Sequence, residues 1–199
     1  PDAQGTIGPF RTRNAAQEAR EALDLGPEDF ADAAAELEWG GADRVADLID
    51  QVAAAAEAGR YKRAAFLRDI TADLILSLER RQRLAGLAGV AQLQAAFPDG
   101  AGGWNLAVVR HGRLAAAGRS PRGANAPHVA SLLADAAETV VPDDTPYRGA
   151  SPDELAVVDS WLNRPDVRIG PTDGTWCSPA AGVGAWRQWA LKAIDARER

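Results

Sequence analysis

Few groups in this chain could do chemistry. One cysteine, Cys177, and two histidines, His111 and His128, are all that a thiol–imidazole pair could draw on, because a thiolate nucleophile needs an adjacent base. Nothing local supports such a pair. Cys177 lies between Trp176 and Ser178 at an expected strand end, where a lone thiol acts as a small hydrophobe. His111 falls in an expected turn and reads as exposed, and His128 follows Pro127 in a first helical turn. Metal-assisted hydrolysis needs several carboxylates converging on an ion. Asp143, Asp144, Asp153, Glu154 and Asp159 are the candidates. Asp153 and Glu154, however, suit a helix N-terminus, where carboxylates meet the positive end of the helix dipole. A single cysteine excludes an internal disulfide and a multi-cysteine zinc site. There is no GxxxxGK[ST] or GxGxxG loop to cradle a nucleotide phosphate. The residues therefore point to no metal or cofactor in this chain.

The basic residues are the better lead. The net charge of -6 hides a strong asymmetry. From Asn14 to Ala58 there are twelve acidic and two basic residues. From Gly59 to Arg83 there are seven basic and three acidic, and from Trp104 to Arg122 four arginines and no acid. Such blocks can give one basic face while the rest of the surface repels polyanions, or they can only solubilise helices. Arg60, Lys62 and Arg63 begin one expected helix, and Arg80, Arg81 and Arg83 lie near its far end. Arg110 and Arg113 flank an expected strand turn, with Arg119 and Arg122 beyond it. Arginines at element ends can reach phosphates without being buried. The expected contact is with the DNA backbone: weak, salt-sensitive and indifferent to sequence.

The elements that must position these groups can be read from apolar spacing. The 199 residues are 46% hydrophobic and 25% charged, ordinary for a globular chain with a real core. No apolar run is long enough to cross a membrane, no secretory leader is visible, and one cysteine suits a reducing compartment. These features predict a cytoplasmic protein with no membrane partner. The chain begins at Pro1 and contains no methionine, which predicts a piece of something longer.

Asn14 with Gln17 fits a capping box for a helix to Leu25. A second helix is expected from Pro27, with Phe30, Ala33, Ala34 and Leu37 inward and a stop at Gly40-Gly41. Val45, Leu48, Ile49, Val52, Ala55 and Ala56 form an apolar stripe from Ala42 to Ala58, and Gly59 breaks it. From Arg60, the residues Tyr61, Ala64, Ala65, Leu67, Ile70, Leu74, Ile75 and Leu78 mark another stripe running to Leu84. Two amphipathic helices joined by a tight turn must pack antiparallel, so residues 42–84 are an expected helical hairpin.

A different texture follows the Pro98–Gly103 punctuation. Trp104, Leu106 and Val108 alternate with Asn105, Ala107 and Val109 as in a strand, His111-Gly112 suits a two-residue turn, and Arg113 to Gly118 returns as a second strand. Val129 to Thr139 reads as a helix with Val129, Leu132, Leu133 and Ala136 inward. Ser151-Pro152-Asp153-Glu154 is a helix start, leading to Leu155, Val158 and Leu162. Val167–Ile169 and Thr175–Cys177 read as short strands around a Pro171–Gly174 turn, and a last helix starts near Ala185. Trp161, Trp176, Trp186 and Trp189 are the expected core of this half. The fold class is α+β: helices with an antiparallel hairpin, then a small antiparallel sheet packed with helices.

Within the hairpin, Tyr61, Ala64-Ala65, then Leu67-Arg68-Asp69 and Ile70 resemble the UVR motif, the short helical hairpin of the nucleotide-excision-repair proteins UvrB and UvrC. The alanine pair would let two helices approach closely, and the aromatic would cover the glycine turn. Gly8-Pro9-Phe10-Arg11 with Ala15 and Ala16 resembles the segment that follows a GIY-YIG nuclease domain, and Trp104 to Gly118 resembles the hairpin after the UVR segment. The likeness extends through residues 151–169. It is to the UvrC-like region of bacterial proteins that carry a DEDD exonuclease domain and a GIY-YIG domain.

The resemblance implies residues 1–26 as the tail of a GIY-YIG-like segment, 27–97 as a helical region with the hairpin, and 98–199 as a small α+β domain. It implies a repair nuclease as parent, with catalytic residues and a divalent metal in domains upstream of Pro1, and no catalytic residue here. The UVR-like cysteine-rich spacer is missing, leaving a direct step from Leu25 to Pro27. The expected role is accessory: Tyr61, Ala64, Ala65, Phe66, Leu67, Arg68, Asp69 and Ile70 would meet a UvrB-like partner or a second copy, while the arginines hold DNA. Phe66, off the main stripe, is the contact candidate, or else it packs against the α+β half. A scaffold without DNA affinity is the competing reading, favoured by the acidic block.

Overall fold

The structure, a computed structural model, describes residues 30–174 and 182–198. They divide between two compact units, one of residues 30–83 with 182–198 and one of residues 84–174. The helix expected at Asn14–Leu25 lies outside the described residues, as do Trp176 and Cys177.

The first unit opens with helix α1, Phe30–Glu57. It runs straight through Gly40-Gly41, where the sequence suggests a stop. A glycine inside a helix costs only about 1 kcal/mol against alanine, and the alanine, leucine and glutamate on either side favour helix. A glycine ends a helix when it turns left-handed and lets the following N–H groups reach back to the last carbonyls. Gly59 does so. Its φ is 70°, its N–H donates to the Ala56 carbonyl at 3.0 Å, and the Arg60 N–H donates to the Ala55 carbonyl at 2.9 Å.

Helix α2, Tyr61–Ala88, then returns along the hairpin. It passes Gly86 and stops at Gly89, four residues beyond the expected end. Val45 and Leu48 of α1 share a buried cluster with Ala72, Leu74, Ile75 and Leu78 of α2. Residues 182–198 complete that cluster through Val183, Ala190 and Ala193, with Trp186 and Trp189 packed against it. They form a 3-10 turn, Val183–Trp186, and helix α5, Arg187–Arg197. Trp186 and Trp189 are thus core to the hairpin and not to the sheet, a correction to the sequence reading, which puts them in the α+β half. Arg187 Nε donates to Glu79 at 3.1 Å, and Arg197 Nη1 to Asp73 at 3.2 Å. Such exposed pairs add at most about 1 kcal/mol each, so the apolar cluster holds α5.

The second unit is built on an antiparallel sheet of order β3-β2-β1-β4, with β1 Gln92–Pro98, β2 Trp104–Arg110, β3 Arg113–Ser120 and β4 Arg168–Asp173. β1 corrects the sequence reading, which leaves residues 92–97 in the helical region. Its alternation is faint, because Gln94 and Ala96 face the same way as Leu106 and Val108 opposite them while Leu93 and Ala95 fill the core. β2 and β3 follow the expected spans, and the His111-Gly112 turn has φ values of 49° and 75°, the left-handed pair a two-residue hairpin requires. β4 overlaps the first expected short strand and runs on through most of the expected Pro171–Gly174 turn, while the second expected strand, Thr175–Cys177, lies outside the described residues. It continues through Pro171, which an edge strand tolerates because its missing N–H breaks no interior ladder. A bulge between Leu93 and Ala95 absorbs the extra residue.

Helices cover parts of both faces. On one, Leu84, Leu87 and Ala88 of α2 and Leu155, Val158 and Leu162 of helix α4 (Pro152–Leu162) cluster with Leu93, Ala95 and Val109. Ser151 caps α4 by accepting from the Asp153 and Glu154 N–H groups. On the other lies α3, Ala126–Asp135, begun by Asn125 and Pro127. It ends four residues before the expected Thr139 and is rotated: Leu132 is 56% exposed, while Ala134 is buried and Leu133 packs on Gly118. The cause is Arg110. Its guanidinium donates to the carbonyls of Ala134, Ala137 and Glu138 at 2.9–3.1 Å, capping the helix C-terminus, and the Glu138 N–H then pairs with Ala115 of β3 at 3.0 Å.

Candidate nucleic-acid and partner interface

The residues of the UVR-like stretch divide by the helical period. Ala64, Leu67 and Ile70 are buried, and Ala65 is half-buried, as a face turned to a neighbouring helix must be. Thr71, fully buried, satisfies its hydroxyl by donating to the Leu67 carbonyl at 2.7 Å. Arg68 donates from Nε and Nη2 to Asp69 Oδ1 at 2.8 and 2.6 Å, so these two neighbours neutralise each other. Tyr61 is 73% exposed and does not cover the glycine turn, a correction to the sequence reading. Phe66 is 36% exposed, with the Arg63 guanidinium 5.8 Å from its ring centre. The start of α2 therefore presents two aromatics within two turns of Arg60, Lys62 and Arg63, all three exposed.

The other arginines separate into two groups. Arg81 is buried and engaged inside the fold, and Arg83 lies 3.7 Å from Glu79 one turn back. Arg80 is half-buried. Arg110 makes five hydrogen bonds, two of them to Gln92 Oε1 at 2.9 and 2.7 Å, so its donors are spent holding α3. Arg81 and Arg110 thus leave the set of phosphate-ready residues. Arg113 stays exposed, 3.6 Å from Glu154.

A basic end of the sheet emerges that the sequence reading only half named. Arg119 lies near the end of β3 and Arg122 follows it, Arg164 stacks on the Phe97 ring at 4.3 Å, and Arg168 opens β4 beside Ala96. Arg164 and Arg168 are invisible in the sequence because the register that brings residues 164–168 to the end of β1 depends on the bulge. Asp99 belongs here too. Its Oδ2 accepts from Arg119 Nε and Nη2, and its Oδ1 from the Ala101 and Gly103 N–H groups. The Arg119 bond first, and these two backbone bonds next, hold its carboxyl below the usual carboxylate range.

The imidazole of His111 is half-buried, its Nδ1 3.1 Å from the Ala88 carbonyl, so it is a packing residue. His128 is exposed. Asp143 accepts from the Thr145 hydroxyl and N–H, which lowers its pKa, the hydroxyl bond contributing most. It shapes its own loop. Asp159 is buried in α4, away from Asp143 in sequence and role, and Asn163 donates to it at 3.1 Å. Among the described residues no three His, Cys, Asp or Glu side chains gather as metal ligands, and no helix is long and apolar enough to cross a membrane.

Comparison with known proteins gives one informative likeness. Over 158 residues the chain is 42% identical to a Mycobacterium tuberculosis protein provisionally named a bifunctional exonuclease/endonuclease. The match covers 77% of this chain and 24% of that protein, so the chain spans about a quarter of the relative's length. The likeness supports a nuclease-related family. No family model matches, and no solved structure matches.

Proposed function

We propose that this chain is a non-catalytic accessory region of a DNA-repair nuclease of the UvrC-like kind, acting in nucleotide excision repair. It docks a partner through the hairpin and steadies duplex DNA for nuclease domains elsewhere in the parent polypeptide, where the divalent metal belongs. The observation that carries the reading is the start of α2, where Tyr61 and Phe66 stand exposed within the first two turns beside Arg60, Lys62 and Arg63. Tyr61 and Phe66, five residues apart, project from different sides of α2, and an exposed aromatic fits the apolar flank of another helix pair, here a UvrB-like hairpin or a second copy. Cations beside them suit phosphates. The 42% identity to a protein named for both nuclease activities supports the nuclease context.

A scaffold without DNA affinity is the second reading. It is favoured by Asp43, Asp47, Asp50 and Glu57, all exposed on α1 of the same hairpin, which repel a polyanion. Fluorescence anisotropy with a labelled duplex separates the two. The accessory reading expects binding that weakens with salt, with a log–log slope reduced by up to about 0.9 for each phosphate contact removed when Arg60, Lys62 and Arg63 become glutamate. Binding absent at low salt leaves only the scaffold.

A further inference from the structure

Among the described residues, the sheet face beneath α3 is only half covered. α3 packs over β2 and β3, and the β1–β4 half stays open as a groove of about 760 Å³, within the size range of sites for small ligands. Its floor is the row Gln92, Gln94 and Ala96 of β1, with Leu106 beside it. One wall is Ala126, Pro127, Ala130 and Ser131 of α3, and the other is β4 from Arg168 to Pro171. Trp104 closes one end.

The register fixes the polarity of the groove. Ala96 sits between Leu106 and Arg168, so the Arg168 cation and the Trp104 ring lie at the same end. Gly170 faces Gln94, and a Cβ there would meet the Gln94 Cβ at 3.5 Å, so the small residue keeps the floor open. Gln92 accepts two bonds from Arg110 on its Oε1, which turns its NH2 into the remaining donor. The Gln94 and Arg168 side chains hold no hydrogen bond or ion pair among the described residues.

We propose that this groove takes an unpaired nucleotide, the base stacked on Trp104, its edge read by the Gln94 amide, and its phosphate met by Arg168. The proposal deepens the nuclease-accessory reading and rests on it for the choice of ligand. The chemistry argues the same way: a small flat floor admits a planar ring, an indole stacks on any base, side-chain amides bond base edges, and a lone guanidinium at the ring's end suits phosphate.

The test uses the whole chain, a labelled oligothymidylate, thymidine monophosphate as competitor, and a duplex of equal length as control. Oligothymidylate should bind, and Trp104→Ala should weaken it at least about fivefold, with Trp104→Phe restoring part of the loss. Arg168→Ala should weaken it by a similar factor. Ser131→Trp, an exposed helix position that fills the groove from its wall, should abolish binding with an unchanged circular dichroism spectrum, which removes misfolding as the explanation. Competition by the free monophosphate at equal affinity identifies a mononucleotide site, and competition only by the oligomer identifies a single strand; either supports the groove. No binding of either, as for a groove that takes an extended peptide, or binding that Ser131→Trp leaves intact, overturns it. If duplex still binds through the hairpin tip in that case, the accessory reading survives while this inference fails.

Discussion

Asp99 Oδ2 lies 2.7 Å from Arg119 Nη2, tying the loop after β1 to the far end of β3. The Asp99 side chain is only 5% exposed although its partner is 63% exposed. Its other oxygen holds the Ala101 and Gly103 N–H groups, both at 2.8 Å, so one carboxylate organises the whole glycine-rich loop that leads into Trp104. A carboxylate whose pKa falls on folding stabilises the native state above its unfolded value, and that stabilisation is lost as the pH drops through the folded value. Asp99→Asn should therefore lower stability by a constant amount from neutral pH down to about 4, and the gap to the parent chain should narrow below that. Thermal unfolding of both proteins across an acid series checks it. A gap that does not change with pH would mean the loop is held without the charge.

Two glycines should separate steric cost from conformational cost. Gly112 has φ 75°, and a Cβ there would sit 2.0 Å from Leu155 Cδ2, a side chain with no room to retreat in the core. Gly100 has φ 78° and open space around it. Gly100→Ala should cost about 1–2 kcal/mol, the left-handed penalty alone. Gly112→Ala should cost about 2–4 kcal/mol, because overpacking adds to it. Urea unfolding midpoints measure the difference, and equal costs would contradict the packing of the turn on α4.

Arg110 should behave as structure and Arg63 as surface. Arg110→Ala strands three helix-end carbonyls and the Gln92 amide oxygen, a loss of about 3 kcal/mol by the usual worth of charge-assisted bonds. Lysine should not rescue it, since a single ammonium cannot span a forked set of acceptors. Arg63→Ala should leave stability within about 0.5 kcal/mol and weaken duplex binding. The pair of unfolding curves and the pair of anisotropy titrations, taken together, decide whether the arginines divide in this way.

What was legible in the sequence was whatever one element could say alone. The α1–α2 turn at Gly59, the strands around His111-Gly112 and the cap at Ser151 each carry a local signal, and each is present in the structure. The misses are contacts between distant parts of the chain. β1 gives no strand signal because its floor residues, Gln92, Gln94 and Ala96, are not apolar enough to show a period of two. The sequence extends α3 to Thr139 and turns Leu132 inward because Arg110, sixteen residues upstream of Ala126, sets where the helix stops from a distant part of the chain. Gly40-Gly41 reads as a stop, yet glycine ends a helix only when the chain after it turns back. For the candidate interface, the hairpin tip is visible as charge beside aromatics, whereas Trp104 and Arg168 come to one end of the groove, and Arg164 to Phe97, only through the register of β1 with its neighbours.

The last helix bears on the hairpin in a way that can be tested directly. Val183 is fully buried and shares its cluster with Leu48, Leu74 and Leu78, more than a hundred residues away. Residues 182–198 are therefore part of what keeps the hairpin folded, and so of what holds the aromatics and cations of its tip in place. Val183→Ala leaves a small cavity that should cost about 1–3 kcal/mol. Because opening free energies differ across a structure, the loss should be local: faster amide hydrogen exchange along α1 and α2 near Val45, Leu48, Leu74 and Leu78, with β2 and β3 unchanged. Exchange measured by mass spectrometry on parent and variant reads this out. Uniform acceleration across both units would show that the two unfold as one, and no acceleration in the hairpin would remove α5 from its core.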